Sequence, residues 1–446
     1  MHPRGKSSLS MLRVVLCFAL VARVCYAQSC LDEIQLPPGF SIASFGGGKV
    51  WNARSLTLSK ADNGGKTLVY VSTRDRTNVY ALIDEDGDGV ADQIHTVIDD
   101  KDTPNGVAWR DGSLFVAEID KIWRYDNADK KALAGKMLGE PVLVSDAFPT
   151  DRKNGWKFIA FGPDDRLYVP IGAPCNVCEL EKFGDITYGS INRMNPDGTE
   201  LESFAYGIRN TVGFDWHPRS KELWFTDNGR DEMGENSLDD ELNKAFKKGL
   251  DFGFPTCHTE GIGNPYDRSI GKAALVNDPD IANKTVCKSG DSQQALQSLG
   301  PHVGALGMRF YTGDMFPESY KNSAFIAEHG SWNRLEAIGY RVVRVKFTKN
   351  GRLVTGREDF AAGWLLDTKT GEACGRPVDV LELPDGSLLV SDDFANDVYR
   401  ISYSEEDAKK AKAKNEESEK KKAKKEEPKE SKRGKTEESG SKESKG

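Results

Sequence analysis

A pair of β-strands that recurs six times along the chain constrains its fold more than any other feature. In each copy an alternating strand ends in a tight turn, and a short apolar strand follows. The turns with their second strands read "GGKTLVYVST", "RDGSLFVAEI", "PDDRLYVPIG", "RSKELWFTDN", "YKNSAFIAEH" and "PDGSLLVSDD". The strands before them read "NARSLTLS", "PNGVAWR", "GWKFIAFG", "NTVGFDWHP", "LGMRFYTG" and "PVDVLELP". Six copies predict an all-β fold, a six-bladed β-propeller spanning residues 28–403. The central residues Tyr70, Phe115, Tyr168, Trp224, Phe325 and Leu389 are 45, 53, 56, 101 and 64 residues apart. Four-stranded blades run about 40 to 50 residues, so only the fourth interval needs a sizeable insertion. A seventh blade inside that insertion is the alternative topology. "DKIWRYD", "SINRMNPDG", "YRVVRVKFTKNG" and "DVYRISY" are read as the strands that end blades.

The segments flanking this body differ from it. Residues 1–27 carry Arg4, Lys6 and Arg13, then "VVLCFALVA", then small residues at Cys25 and Ala27, the pattern of an export signal cleaved near Ala27. An uncleaved anchor is the alternative, and no later segment is apolar enough to span a bilayer. Residues 404–446 are Lys- and Glu-rich with almost no apolar side chains, so they are expected to stay disordered, as a solvated spacer or a tether. The body between holds 42 Lys and Arg against 57 Asp and Glu. That acidic balance argues against nucleic-acid binding, which draws most of its affinity from phosphate neutralisation.

Outside the signal six cysteines remain, an even number that favours disulfides in an exported chain. The preferred pairing is Cys257 with Cys287, which bracket the insertion, Cys175 with Cys178, and Cys30 with Cys374; spacing alone does not fix it. A zinc site from Cys175, Cys178, Cys257 and His258 is a second reading. "NKT" at Asn283 is a glycosylation sequon within the insertion.

Ligands of propellers sit at the mouth of the central channel, so the residues flanking the innermost strands are where chemistry is sought. "DEDGDGVAD" sets Asp84, Asp86, Asp88 and Asp92 at a spacing that wraps carboxylates around a hard cation, with a bare acidic hairpin as the alternative. Arg209 and Asn210 precede an inner strand, where they meet an anionic or carbonyl-rich ligand or form a loop salt bridge. Carbonyls around Gly229 are candidate cation ligands, while Asp239, Asp240 and Glu241 either share in this or only orient the loop. His302 and His329 are candidate general bases or structural histidines. Arg376 is an anion partner or a surface ion pair.

Taken together, the blocks "NGVAWRDGSLFVAE", "GWKFIAFGPDDRLYVPIGAPCNVC", "GIRNTVGFDWHP", "LWFTDNGRD", "DELN", "LGPHVGALGMRFYTG", "IAEHGSWNR" and "GRPVDVLELPDGSLLVSDD" resemble the glucose/sorbosone dehydrogenase family. These are six-bladed propellers related to soluble quinoproteins that use pyrroloquinoline quinone (PQQ). The likeness runs from Leu36 to Tyr403. It implies a secreted PQQ- and Ca²⁺-dependent oxidoreductase acting on an aldose or related aldehyde, with an electron acceptor the sequence does not identify. By position, Asn105, Arg209, Asn210, Trp332 and Arg376 would contact PQQ. Gly229 and Arg230 would offer carbonyls to its Ca²⁺, and His302 would line the pocket. The family's histidine base is expected in the block before "GWKF", where this chain has Lys153 and Asn154. Asn154 cannot take up and release a proton near neutral pH, so Asp151 or His302 would substitute, or turnover is lost. The rival classes are a non-catalytic propeller that binds a glycan or protein and a Ca²⁺-dependent lactone hydrolase.

Overall fold

The computed structural model describes residues 30–260, 274–281, 287, 290 and 292–426. Six antiparallel four-stranded units surround one axis. Blade 1 is built from Ala53–Leu58, Thr67–Thr73, Asn78–Asp84 and Gln93–Asp99, and blade 2 from Gly106–Arg110, Ser113–Ala117, Ile122–Tyr125 and Val142–Ser145. Blade 3 comprises Ala160–Phe161, Leu167–Ile171, Ser190–Met194 and Glu202–Tyr206, with Leu250–Asp251 added in parallel outside. Blade 4 comprises Phe214–Trp216, Leu223–Asp227, Asp239–Ala245 and Gln297–Pro301; blade 5 comprises Ala305–Phe310, Ala324–Glu328, Arg341–Phe347 and Val354–Ala362. Blade 6 takes Pro377–Glu382, Leu388–Asp392 and Asp397–Tyr403, and its outer strand is Phe40–Ser44 from the start of the body, with Phe40 opposite Tyr403. The ring is thus closed by its two ends.

The second strands are apolar at successive positions because both of their faces are covered. In Thr67–Thr73, Leu68 and Tyr70 pack against blade 2, while Val69 and Val71 pack against blade 6. The same arrangement gives one buried cluster at each of the six blade junctions. Six junctions close the circle, so the seventh-blade alternative does not arise among the described residues; the insertion contributes instead the small hairpin of Cys257–Glu260 with Ala274–Asn277.

Three expectations are corrected. The strands read as blade ends are the third strands. The true fourth strands lie further out and are shorter of apolar residues, as in Val142–Ser145, whose Val142 and Leu143 are exposed. The tail expected to lack structure carries a helix, Glu405–Glu426. Its first turn is capped by Ser404 Oγ, which accepts the Asp407 N–H, and Glu405–Lys409 and Glu406–Lys410 pair one turn apart at 3.1 and 2.8 Å. Such pairs and good helix formers support a helix that needs no core. The zinc reading fails because its cysteines are consumed: the disulfides are Cys30–Cys374, Cys175–Cys178 and Cys257–Cys287, the preferred pairing. Asn283, the segment 1–27 and residues beyond 426 lie outside the described residues. No described helix is long and apolar enough to cross a membrane.

Candidate functional site

The first residues of the inner strands and the last of the second strands meet at one end of the channel. There Arg54, Asn105, Lys157, Arg209, His302 and Arg376 approach from successive blades. The floor beneath them is apolar: Val212, Leu306 and Val378 pack together with Trp156 against them.

On the blade 4 side the centre is Arg209. The buried Asp227 carboxylate accepts the backbone N–H of Asn210 at 2.7 Å and of Arg209 at 3.1 Å, which fixes the turn into the inner strand. Burial pushes Asp227 up to about 6, against these N–H groups. The Arg209 guanidinium donates from Nη1 to the carbonyls of Asn228 (3.2 Å) and Gly229 (2.8 Å). From Nε it donates to the Asn176 carbonyl at 3.1 Å, and from Nη2 to Asn176 Oδ1 and Asp231 Oδ2, both at 3.0 Å. Beneath this carbonyl shelf Asp240 accepts the N–H groups of Gly229, Gly304 and Ala305 at 2.9, 2.7 and 3.1 Å. A Cβ at Gly229 would stand 3.0 Å from the Asp239 carbonyl, so the shelf packs closest with glycine. Beside it Asn210 Oδ1 and Thr211 Oγ1 are buried with no hydrogen-bond partner. A buried acceptor left unpaired costs about 1–3 kcal/mol, which makes Asn210 Oδ1 a position awaiting a donor or a cation.

On the opposite side a second arginine is arranged differently. Arg54, 1% exposed, donates through Nη1 to Asp393 Oδ2 at 2.8 Å and through Nε to Asn105 Oδ1 at 2.9 Å. Asp393 Oδ1 in turn meets His329 Nε2 at 2.9 Å. Burial alone would raise Asp393, but His329 and Arg54 hold it well below the ordinary carboxylate range. Burial lowers His329 to about 4 although Asp393 opposes this, so the ring is neutral at pH 7. A carboxylate can only accept, so Nε2 carries the hydrogen and Nδ1 keeps the lone pair. This is the arrangement of an oriented imidazole base. Sequence reasoning named His329 beside His302 as a candidate base or structural histidine, and missed Arg54 and Asp393 altogether.

The remaining predicted residues are distributed as follows. Asn105 is buried behind the mouth, accepting from Arg54 and donating to the Lys157 carbonyl at 2.9 Å; its side chain is spent on this scaffold. Asn154 adopts φ 52°, a left-handed conformation that asparagine tolerates, and donates to the Ala173 carbonyl at 3.0 Å. Asp151, its possible substitute, is exposed and accepts the Tyr188 hydroxyl. His302 lies with Nε2 3.1 Å from the Gly234 carbonyl and Nδ1 3.8 Å from Asp231. Arg376 donates to the carbonyls of His329 and Gly330 at 3.0 and 2.7 Å and stacks over Tyr340. Trp332 stands at the rim, 77% exposed. The Arg230 side chain turns away from the mouth to pair with Asp278 and Asp280, each at 2.8 Å. Away from the mouth, Asp84, Asp86 and Asp88 bring carboxylate oxygens within 4.8 Å of one another, the geometry of a cation loop. Asp92 is not in that group: its carboxylate accepts the Glu85 N–H at 2.7 Å and closes the hairpin.

A TrAA12-like family model matches residues 34–404. The chain belongs to the TrAA12-like family. An uncharacterized protein of Borreliella burgdorferi is 28% identical over 392 residues, covering 85% of this chain and 93% of that protein. Among solved structures, the holo form of the pyranose dehydrogenase PQQ domain from Coprinopsis cinerea superposes with a TM-score of 0.66 at 18% identity, covering 83% of this chain and 97% of that one. The calcium structure of the Trichoderma reesei carbohydrate-active enzyme of family AA12 gives 0.69 at 16% identity, with the same coverage. These likenesses establish the shared fold of this TrAA12-like protein; its chemistry is argued from its own residues.

Proposed function

We propose that the protein is an oxidoreductase that oxidises a sugar or related aldehyde with PQQ and a divalent cation held at the channel mouth. The observation that carries this reading is the pair of arginine clusters facing one mouth, one of them around the orphaned Asn210 Oδ1 and the other feeding a neutral, oriented histidine. The donor set suits an anionic, carbonyl-rich tricycle: Arg209 and Arg376 for its anionic oxygens, Asn210 for a polar edge, and the carbonyls of Asn228 and Gly229 for its cation. Bound PQQ with its cation supplies the two-electron acceptor.

The protein's own residues do the rest. Arg209 steadies the developing negative charge, and Asn176 and Asp231 hold its guanidinium in register. His329 Nδ1 accepts the proton of the substrate hydroxyl, and Asp393 stabilises the imidazolium that results, with Arg54 keeping Asp393 ionised. The missing histidine at Asn154 is then no obstacle, because the base stands on another blade. Trp332 offers an exposed ring to the apolar face of a sugar. The Asp84–Asp86–Asp88 loop is a structural Ca²⁺ site on this reading, and export of the chain is supported by its three disulfides.

The test is dye reduction by the purified chain with aldoses, PQQ and Ca²⁺. Aldose-dependent reduction that a chelator abolishes is expected. PQQ binding without turnover on any aldose or aldehyde would instead point to a binding module.

A further inference from the structure

The block "APCNVC" lies in the loop after the second strand of blade 3, Leu167–Ile171. In the structure the four-residue ring closed by Cys175 and Cys178, with Cα atoms 6.1 Å apart, holds Asn176 against the site. The carbonyl and the side-chain amide of Asn176 both face Arg209 and Asp231. Its carbonyl accepts Arg209 Nε at 3.1 Å, and its Oδ1 accepts Arg209 Nη2 at 3.0 Å and the Asp231 backbone N–H at 2.8 Å. Its Nδ2 donates to the Asp231 carbonyl at 2.9 Å and reaches Glu232 Oε2 at 3.4 Å. Asp231 itself pairs with Arg209 at 3.0 Å and takes Asn333 Nδ2 at 2.8 Å.

We infer that Asn176, held in the Cys175–Cys178 ring, is a positioning residue that sets the Arg209 guanidinium for the reaction. The physical reason is that Arg209 has a long, rotamer-rich side chain, and only a fork of fixed acceptors selects one of its conformations. Two of those acceptors, a main-chain carbonyl and a side-chain amide oxygen, come from one residue. A single residue supplies both at fixed separation only if its own backbone is immobilised, and a disulfide across three bonds of chain does this without a core. The amide also locks Asp231, the carboxylate that shares Arg209, so the clamp fixes both partners of the ion pair. This inference rests on the proposed role of Arg209 at the quinone.

Three variants separate the parts: Asn176→Ala removes the amide but keeps ring and carbonyl, Asn176→Asp keeps the acceptor, and Cys175→Ser/Cys178→Ser opens the ring. The first readout needs no cofactor: amide hydrogen exchange at Asp231, whose N–H donates to Asn176 Oδ1, rises in Asn176→Ala and in the ring-opened variant. The second uses the PQQ- and Ca²⁺-loaded enzyme: kcat falls about 10- to 100-fold in Asn176→Ala, the cost of losing a residue that orients a reactive one. KM for the sugar stays put, and Asn176→Asp, which keeps the acceptor for Arg209 but loses the donor to the Asp231 carbonyl, recovers part of kcat. Unchanged exchange at Asp231 in Asn176→Ala, or unchanged kcat beside an active wild type, overturns the inference. A wild-type chain that takes up no PQQ refutes instead the reading of the site on which it rests.

Discussion

Arg209 and Arg54 face the same channel mouth from opposite sides, and they are held by different kinds of partner. Arg209 sits among main-chain carbonyls, an asparagine and one partly exposed carboxylate. Arg54 is wholly buried, and its charge is met by Asp393 and Asn105. Carbonyl oxygens can exchange a guanidinium for a ligand or a metal ion with little loss, whereas a buried ion pair cannot give up one member without stranding the other. The first cluster is therefore built to meet a ligand, and the second to hold a charge distribution still. His329 belongs to the second: burial keeps its ring neutral, and the Asp393 carboxylate fixes its tautomer. On the proposed function, one mouth then separates cofactor contact from proton transfer, and each half predicts its own mutant behaviour.

The largest effect is expected at His329. His329→Gln keeps a hydrogen-bonding amide near Asp393 but cannot take a proton, and turnover in the dye assay should fall about 10²- to 10⁴-fold. Arg209→Ala should follow, with kcat down about 10²- to 10³-fold and PQQ affinity weakened, the cost of one preorganised donor at a developing charge. If Arg209→Ala instead left PQQ binding intact and His329→Gln weakened it, the two halves would be assigned the wrong way round.

Asp393→Asn tests the link within the second cluster. Losing the carboxylate frees the imidazole tautomer, and turnover should fall about 10- to 100-fold. The pH dependence carries a matching sign. A base that titrates at about 4 is in its active, unprotonated form throughout the neutral range. The wild-type kcat/KM should hold as pH drops past 6.5, where an ordinary histidine protonates, and fall only as pH passes through about 4. An acid limb near 6.5 would remove His329 from the role. The smallest effect is expected at Asn154→His, which should leave turnover unchanged because the base already stands on blade 5. A gain there would move the proton acceptor back to blade 3.

What the sequence made legible follows from burial. Tyr70, Phe115, Tyr168, Trp224, Phe325 and Leu389 mark six second strands because both faces of those strands are packed, so the apolar pattern is dense. The outer strands escaped because one face meets solvent, and the strand Phe40–Ser44 escaped because its partner, Asp397–Tyr403, lies at the far end of the chain. The same distance hid Arg54: inside "NARSLTLS" it reads as a polar position of a strand, and Asp393 is 339 residues away. Aligning the repeats column by column was the signal available. Arg54, Arg209 and Arg376 all stand at or shortly before the start of inner strands, while Asn228, His329 and Asp393 all follow second strands. Asn176 carried no such signal, since between two cysteines only the bridge was conspicuous. Asp92 falls outside the Asp84–Asp86–Asp88 group because its carboxylate turns to the Glu85 N–H across the hairpin, an orientation that spacing along a turn does not give.

The most direct measurement of the central claim is an equilibrium titration of the chain with PQQ, followed by the change in quinone fluorescence, with and without Ca²⁺ and with Arg209→Ala beside the wild type. The account predicts saturable one-to-one binding that requires the cation and weakens sharply in the variant while its thermal melt is preserved. Absence of binding, or binding indifferent to both Ca²⁺ and Arg209, would contradict it.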